Sequence, residues 1–207
     1  MSVYNTEFHF VQRAIDSVLN QDFQNFQLLI IDDGSNNDTH NQILNYAVRH
    51  QDKISYVRHS NRGQAESINL GVLLAKGDFI AIIDSDDQYK PNHLSTCLKN
   101  IADLDLIASM TDTIVDSEDD FYVPDRFDQN KLIHIDNCIL FATLFGRKEV
   151  FIDLKFRSGY AADSHFFETA SKKYQVKKVN QRTYVYYRNM PNSICANIKK
   201  NTLLKAA

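Results

Sequence analysis

Phe79-Ile80-Ala81-Ile82-Ile83 runs straight into Asp84-Ser85-Asp86-Asp87, and that junction decides how the rest of the chain is read. The apolar run reads as a buried strand. A cluster of carboxylates at its end is expensive unless something neutralises the charge. Oxygen-only ligands suit a hard divalent cation, and such cations often carry phosphates with them. The same pattern stands upstream, where Gln27-Leu28-Leu29-Ile30-Ile31 leads into Asp32-Asp33-Gly34-Ser35.

Helix and strand signals alternate around these two junctions. Val11, Ile15, Val18 and Leu19 share one helical face, with Thr6 as an N-cap. Ile43, Ala47 and Val48 mark a second helix starting near Asp38, and Ile54 to Val57 a short strand. Ala65, Ile68, Val72 and Ala75 make a third helix that Gly77 would stop. Pro91 opens a fourth, with Leu94, Cys97, Leu98 and Ile101 inward, before a strand over Leu106 to Met110. This rhythm predicts a doubly wound α/β sheet. Ligands of such sheets gather at the carboxyl ends of the strands, so the two Asp clusters are expected to meet across one crevice.

Residues 111 to 160 break the rhythm. Asp112, Asp116, Glu118, Asp119, Asp120, Asp125 and Asp128 surround Pro124 in an acidic loop or hairpin. An apolar run over Ile139 to Phe145, a helix beginning near Asp163 and late strands over Val176 to Val179 and Thr183 to Arg188 follow. The 207 residues fit one domain with a substantial core. A net charge of -3 does not suggest nucleic acid as a partner. No acidic residue follows Glu168, while Lys172, Lys173, Lys177, Lys178, Arg182, Arg188, Lys199, Lys200 and Lys205 do. Such a tail touches anionic lipid or phosphate, or is simply a solvated face. Cys97, Cys138 and Cys195 form no disulfide or zinc pattern, which points to a reducing cytoplasm. No apolar run is long enough to span a membrane, and any membrane contact is expected to be peripheral.

Each chemical motif has a plainer reading beside it. Asp84 to Asp87 binds a cation or forms an acidic turn ahead of the Pro91 helix; the spacing excludes an EF-hand. Asp33 accepts from a nucleobase or ribose, or belongs to an Asx turn with Gly34. Arg62 in Asn61-Arg62-Gly63-Gln64-Ala65 pairs with phosphate or is an exposed loop cation. His93 and His165 read as packing or surface groups, and no nucleophile elbow is present.

Taken together these pieces resemble the family 2 glycosyltransferases of the GT-A fold. Tyr4-Asn5-Thr6 with Ser17-Val18-Leu19-Asn20-Gln21 is similar to the family's opening Y-N and S-x-L-x-Q segment. Asp32-Asp33-Gly34-Ser35 matches its D-D-G-S, and Asn61-Arg62-Gly63-Gln64-Ala65 with Asn69-Leu70-Gly71 its N-x-G-x-A and N-x-G. The segment from Gly77 to Pro91 follows the family's G-E-Y-I-x-x-L-D-S-D-D-x-x-x-P. The resemblance implies a Rossmann-like, mostly parallel sheet flanked by helices. It implies that residues 1 to about 110 bind a nucleotide-sugar donor, usually a UDP-sugar, through Tyr4, Asp33, Arg62 and Asp84. Asp86 would hold Mn or Mg, and Asp163 would be the general base of an inverting transfer to a sugar or lipid-linked sugar acceptor, served by residues 111 to 207. Bacterial cell-surface polysaccharide or glycolipid synthesis, in the cytoplasm or at the inner face of the membrane, is the implied setting. An aspartate at its usual pKa would already be ionised for this role, and Asp163 would also N-cap its helix.

Three departures from the family pattern carry expectations of their own. The family begins with a central apolar strand, whereas only Met1-Ser2-Val3 precede Tyr4. The first strand is therefore expected to be missing, leaving a gap of several buried side chains worth about 1.5–3 kcal/mol each. Ala162 stands where an acidic residue or glycine is usual, and Met190 where a late histidine is usual. Thioether sulfur is a poor partner for Mn or Mg. The alternative reading is accordingly a nucleotide-sugar-binding protein of the same fold with reduced or no transfer.

Overall fold

The computed structural model describes residues 1–128 and 130–189, so Met190, Cys195, Lys199, Lys200 and Lys205 lie outside the described residues. The first half alternates as the sequence predicts: β1 (Ser2–Val3), α1 (Phe8–Leu19), β2 (Leu28–Asp32), α2 (Thr39–Arg49), β3 (Ile54–Arg58), α3 (Gln64–Leu74), β4 (Phe79–Ala81), β5 (Gln88–Tyr89), α4 (His93–Ile101) and β6 (Leu106–Ala108). The second half adds β7 (Thr111–Ile114), β8 (Tyr122–Pro124), β9 (Leu132–His134), β10 (Leu144–Arg147), α5 (Lys148–Leu154), α6 (Ala162–Ser171), β11 (Val176–Lys178) and β12 (Tyr184–Tyr187).

β1, β2 and β3 form one parallel sheet, with Leu28 opposite Ile54 and Ile31 opposite Val57. A second sheet runs β11-β6-β10-β4, in which β10 is antiparallel to both neighbours. A third runs β5-β12-β7, and β8 pairs with β9 as the hairpin expected near Pro124. The apolar run over Ile139 to Phe145 thus reaches the sheet only at its end, where Leu144 and Phe145 open β10, the strand that locks the two halves of the chain together. Gly146 allows this: a Cβ there would lie 2.7 Å from the Asp105 carbonyl oxygen.

Strand alternation sorts the core into two faces. Ile107 and Phe145 pack with Cys97 and Ile101 of α4. Leu106, Ala108 and Leu144 point the other way, into a cluster with Val72, Val150, Phe151, Phe156 and Phe166 from the α3, α5 and α6 side. Val11, Ile15 and Val18 of α1 cover β2 and β3 with Ile43 and Ala47 of α2. Each such fully buried side chain contributes about 1.5–3 kcal/mol.

Several local expectations are corrected. Glu7, not Thr6, precedes α1 as its cap; the Thr6 hydroxyl instead meets the Ser85 hydroxyl at 2.7 Å. α3 ends at Leu74, before Gly77, and α4 starts at His93, beyond Pro91. Ala161, in the left-handed region, caps α6, and Asp163 lies one position inside its first turn. The first strand is present as a two-residue stub: Ser2 pairs with Ile31, Val3 with Asp32, and Ser2 also bridges to Asp84. No helix among the described residues is long and apolar enough to cross a membrane.

Candidate functional site

Three segments converge at the carboxyl ends of β1, β2 and β4. After β2 the chain turns through Gly34, whose φ of +79° and 2.7 Å gap from a Cβ to the Asn61 nitrogen exclude a side chain. Asp32 is spent on this turn: its carboxylate accepts from the Ser35 amide at 2.8 Å and the Tyr56 hydroxyl at 2.6 Å. Asp33 is 3% exposed and accepts from the amides of Arg62 at 2.7 Å and Gly63 at 2.8 Å, one on each oxygen. It therefore ties the Asn61–Gly63 loop to β2. The turn after β1 joins them, with the Asn5 amide donating to the Ser35 hydroxyl at 3.0 Å. Tyr4 stands beside that turn, 51% exposed. Arg62 reaches Asp33 through its backbone, and its side chain borders a groove with Glu66, Asn69 and Phe156.

The acidic tetrad divides its labour. Asp87 is buried and receives the Tyr184 hydroxyl at 2.6 Å and the Tyr187 amide at 2.9 Å, so it anchors the turn to β12. Burial, with Asp84 and Asp86 adding to it, raises its pKa well above the usual range. Ser85 is buried against Thr6. Asp84 and Asp86 are left facing the crevice, partly exposed. Burial and then the Asp86 charge push Asp84 up to about 7, against the N-terminal ammonium and the Gln64 amide, which donates at 2.9 Å. Burial raises Asp86 as well, and Arg13 opposes that rise.

Asp163 enters from α6, close enough that its charge raises the pKa of Asp84. Burial lifts Asp163 itself to about 6, against donation from the amides of Ser164 and Phe141 and the charge of Arg126. The expectation of an untuned aspartate is therefore corrected: this carboxylate is a stronger base than a solvated one, though still mostly ionised at neutral pH. Arg126 sits between β8 and β9 and pairs with Glu168 of α6, which docks the hairpin beside Asp163.

Carboxylates that raise one another's pKa in a shared crevice are short of positive charge. Asp84 and Asp86 fit a hard cation of the Mg or Mn type, which takes one or two carboxylates and completes its shell with phosphate and water. Among the described residues no group of three His, Cys, Asp or Glu side chains forms a ready-made metal cage. The pair fits a cation that arrives with phosphates better than one held by the protein alone. Met190 lies outside the described residues.

Sequence reasoning missed Arg13. Its guanidinium donates to the Asp86 carbonyl and stacks 3.7 Å from the Tyr187 ring centroid, while its Nε is buried without a partner. On α1 it reads as one polar position among several; only the tertiary fold brings it to the tetrad. Gln64 lay inside a recognised motif, but its contact with Asp84 did not follow from spacing.

The family model for glycosyl transferase family 2 matches residues 1–161. Glycosyltransferase GlyG of Streptococcus pneumoniae is 29% identical over 123 residues, covering 58% of this chain and 40% of that protein. An uncharacterized glycosyltransferase of Rickettsia prowazekii is 27% identical over 188 residues, covering 82% of this chain and 58% of that protein. The fold is similar to that of Staphylococcus aureus TarS in complex with UDP-GlcNAc, with TM-score 0.71, 18% identity, and 95% of this chain and 59% of that one covered. It is equally similar to the mannosyltransferase PcManGT of Pyrobaculum calidifontis in complex with GDP-Man and Mn2+, with TM-score 0.72, 17% identity, and 98% and 60% covered. The chain thus spans 40% to 60% of the length of these proteins.

Proposed function

The chain belongs to glycosyl transferase family 2, and from that premise we propose that it moves a sugar from a nucleotide-sugar, a UDP-sugar first among them, to an acceptor hydroxyl with inversion at the anomeric carbon. The observation that carries this reading is the convergence of Asp84, Asp86 and Asp163, three part-buried carboxylates with raised pKa values, on one crevice.

In the proposed reaction the loop that Asp33 ties together holds the nucleoside, with Tyr4 exposed beside it and Arg62 at its rim. Asp84 and Asp86 would hold Mn or Mg, which supplies positive charge against the departing diphosphate. Asp163 takes the proton of the acceptor hydroxyl as that oxygen forms its bond to the anomeric carbon and the nucleoside diphosphate leaves. A base at about pKa 6 suits that step near neutral pH: it is mostly ionised yet more basic than a solvated carboxylate. Donation from the Ser164 and Phe141 amides, with a smaller part from the Arg126 charge, opposes the rise that burial imposes on Asp163. The acceptor is proposed to be a sugar or lipid-linked sugar of bacterial surface polysaccharide or glycolipid, reached by the half of the chain from residue 111 onward.

The test is transfer or hydrolysis across a panel of UDP- and GDP-sugars with Mn. Asp163→Asn keeps the shape and removes the base, and it is expected to lower the transfer rate about 10²–10⁴-fold while leaving UDP affinity unchanged. Undiminished transfer would sink the base assignment. UDP binding with no turnover of any donor would favour the binding-protein reading instead.

A further inference from the structure

The peptide that joins Asp86 to Asp87 is pinned at both ends. Its carbonyl, on Asp86, accepts from the Arg13 guanidinium, and its N–H, on Asp87, donates to the Asp84 carbonyl at 3.3 Å. A planar unit held at both ends leaves Asp86 little freedom in ψ. The residue before it is held as well, since the Ser85 hydroxyl meets that of Thr6 at 2.7 Å. Backbone angles limit which rotamers a side chain can take, so the aim of the Asp86 carboxylate is set from outside.

Arg13 is rigidly mounted. It stands on α1, whose Val11, Ala14 and Ile15 are fully buried. Its guanidinium lies 3.7 Å from the Tyr187 ring centroid and 5.3 Å from that of Phe10. Tyr187 in turn donates its amide to the Asp87 carboxylate at 2.9 Å and its hydroxyl to Gln88 Oε1 at 3.1 Å. The contacts close a circuit: from Arg13 to the Asp86 carbonyl, along the chain to Asp87, across to Tyr187, and back to Arg13.

Arginine is a costly choice here on two counts. Its Nε–H is buried with no acceptor, and an unpaired buried donor destabilises the fold. Its permanent positive charge also stands beside a residue suited to a cation, and like charges repel. The geometry that it imposes on the turn accounts for its presence where stability and charge do not.

We propose that Arg13 is a positioning residue for the cation: through the Asp86 carbonyl it aims the Asp86 carboxylate into the crevice, with the Tyr187 ring holding the guanidinium in place. The inference rests on the reading of Asp84 and Asp86 as the residues that hold Mn or Mg.

The test measures Mn bound to the full chain at saturating UDP, from the electron paramagnetic resonance of free Mn, which needs no turnover. Arg13→Met is expected to weaken Mn binding about 10–100-fold, as loss of a group that orients a metal ligand does. It is expected to leave UDP affinity without metal unchanged and the thermal midpoint of the metal-free chain no lower. A role through charge alone has the opposite sign, so tighter Mn binding in Arg13→Met would overturn the proposal, as would unchanged binding. An equal loss of metal-free UDP affinity would also overturn it, because it would mark general disorder of the crevice. Tyr187→Leu is expected to weaken Mn in the same direction and to add nothing on top of Arg13→Met. Fully additive losses would overturn the circuit. If Arg13→Met fails to fold, Tyr187→Leu carries the test, and unchanged Mn binding there overturns the proposal. Asp86→Asn separates this inference from the reading beneath it. Mn binding that survives Asp86→Asn overturns that reading; binding lost there but undiminished in Arg13→Met overturns the role of Arg13 alone.

Discussion

Asp84 is where the electrostatics of the crevice concentrate. Its carboxyl titrates near 7 in the fold against a usual value of 3.8. Between those values the folded chain keeps a proton that the unfolded chain has released. The stability tied to this group is therefore complete below about pH 4 and is lost as pH rises toward 7. Asp163, at about 6, adds to the same slope. The Met1 amine and His93, whose pKa values burial lowers, slope the other way, so the Asp84 contribution is read as a difference: the urea midpoint of metal-free Asp84→Asn is expected to gain on that of the unmodified protein from pH 5 to pH 8. A difference that stays constant over this range would remove Asp84 as its source. At this scale the two Asp clusters were legible, because strand ends in an open α/β sheet share one edge: Asp33 and Asp84 are tied to the same short segment, at Arg62–Gly63 and at Gln64. What spacing could not reveal was the separation of Asp84 and Asp86 from Asp87. That depends on Tyr184 and Tyr187, which stand 97 and 100 positions further along the chain.

Among the elements, α5 and α6 hold Asp163 against the sheet through stacked aromatic rings. Phe151 and Phe166 lie 5.3 Å apart between centroids, and Phe156 and Phe166 4.2 Å apart. Phe151 is 1% exposed, so truncation leaves a cavity that its neighbours cannot fill. Phe151→Ala is expected to cost about 3–5 kcal/mol of unfolding free energy, read by urea denaturation. A loss under about 1 kcal/mol would mean that the cluster collapses freely around the site. The helices of the first half were readable from their apolar periodicity, since each buries a single face. β10 was not: the apolar run over Ile139 to Phe145 overlaps it only at Leu144 and Phe145, and nothing local tells a strand which two partners it will separate. The stub of β1 was equally hidden, because a pair such as Ser2 and Val3 has no period to read.

For the molecule as a whole, donor binding should act on stability. A ligand at 100 times its dissociation constant adds about 2.7 kcal/mol to a protein that binds it only when folded. UDP with Mn is expected to raise the thermal midpoint by about 5–10 °C at pH 7, and UDP alone by less, because Asp84 and Asp86 are left without a counter-charge. Equal shifts with and without Mn would argue against a metal at this pair. The antiparallel placement of β10 has a last consequence, for synthesis on the ribosome. β4 emerges early but has no partner on that side until Arg147 has followed it out, and the turn bearing Asp84 to Asp87 is not pinned until Tyr184 and Tyr187 arrive. The acidic crevice thus cannot close until Tyr187 has left the ribosome. Until then Phe79 to Ile83 is a naked hydrophobic strand, and a natural client for a chaperone.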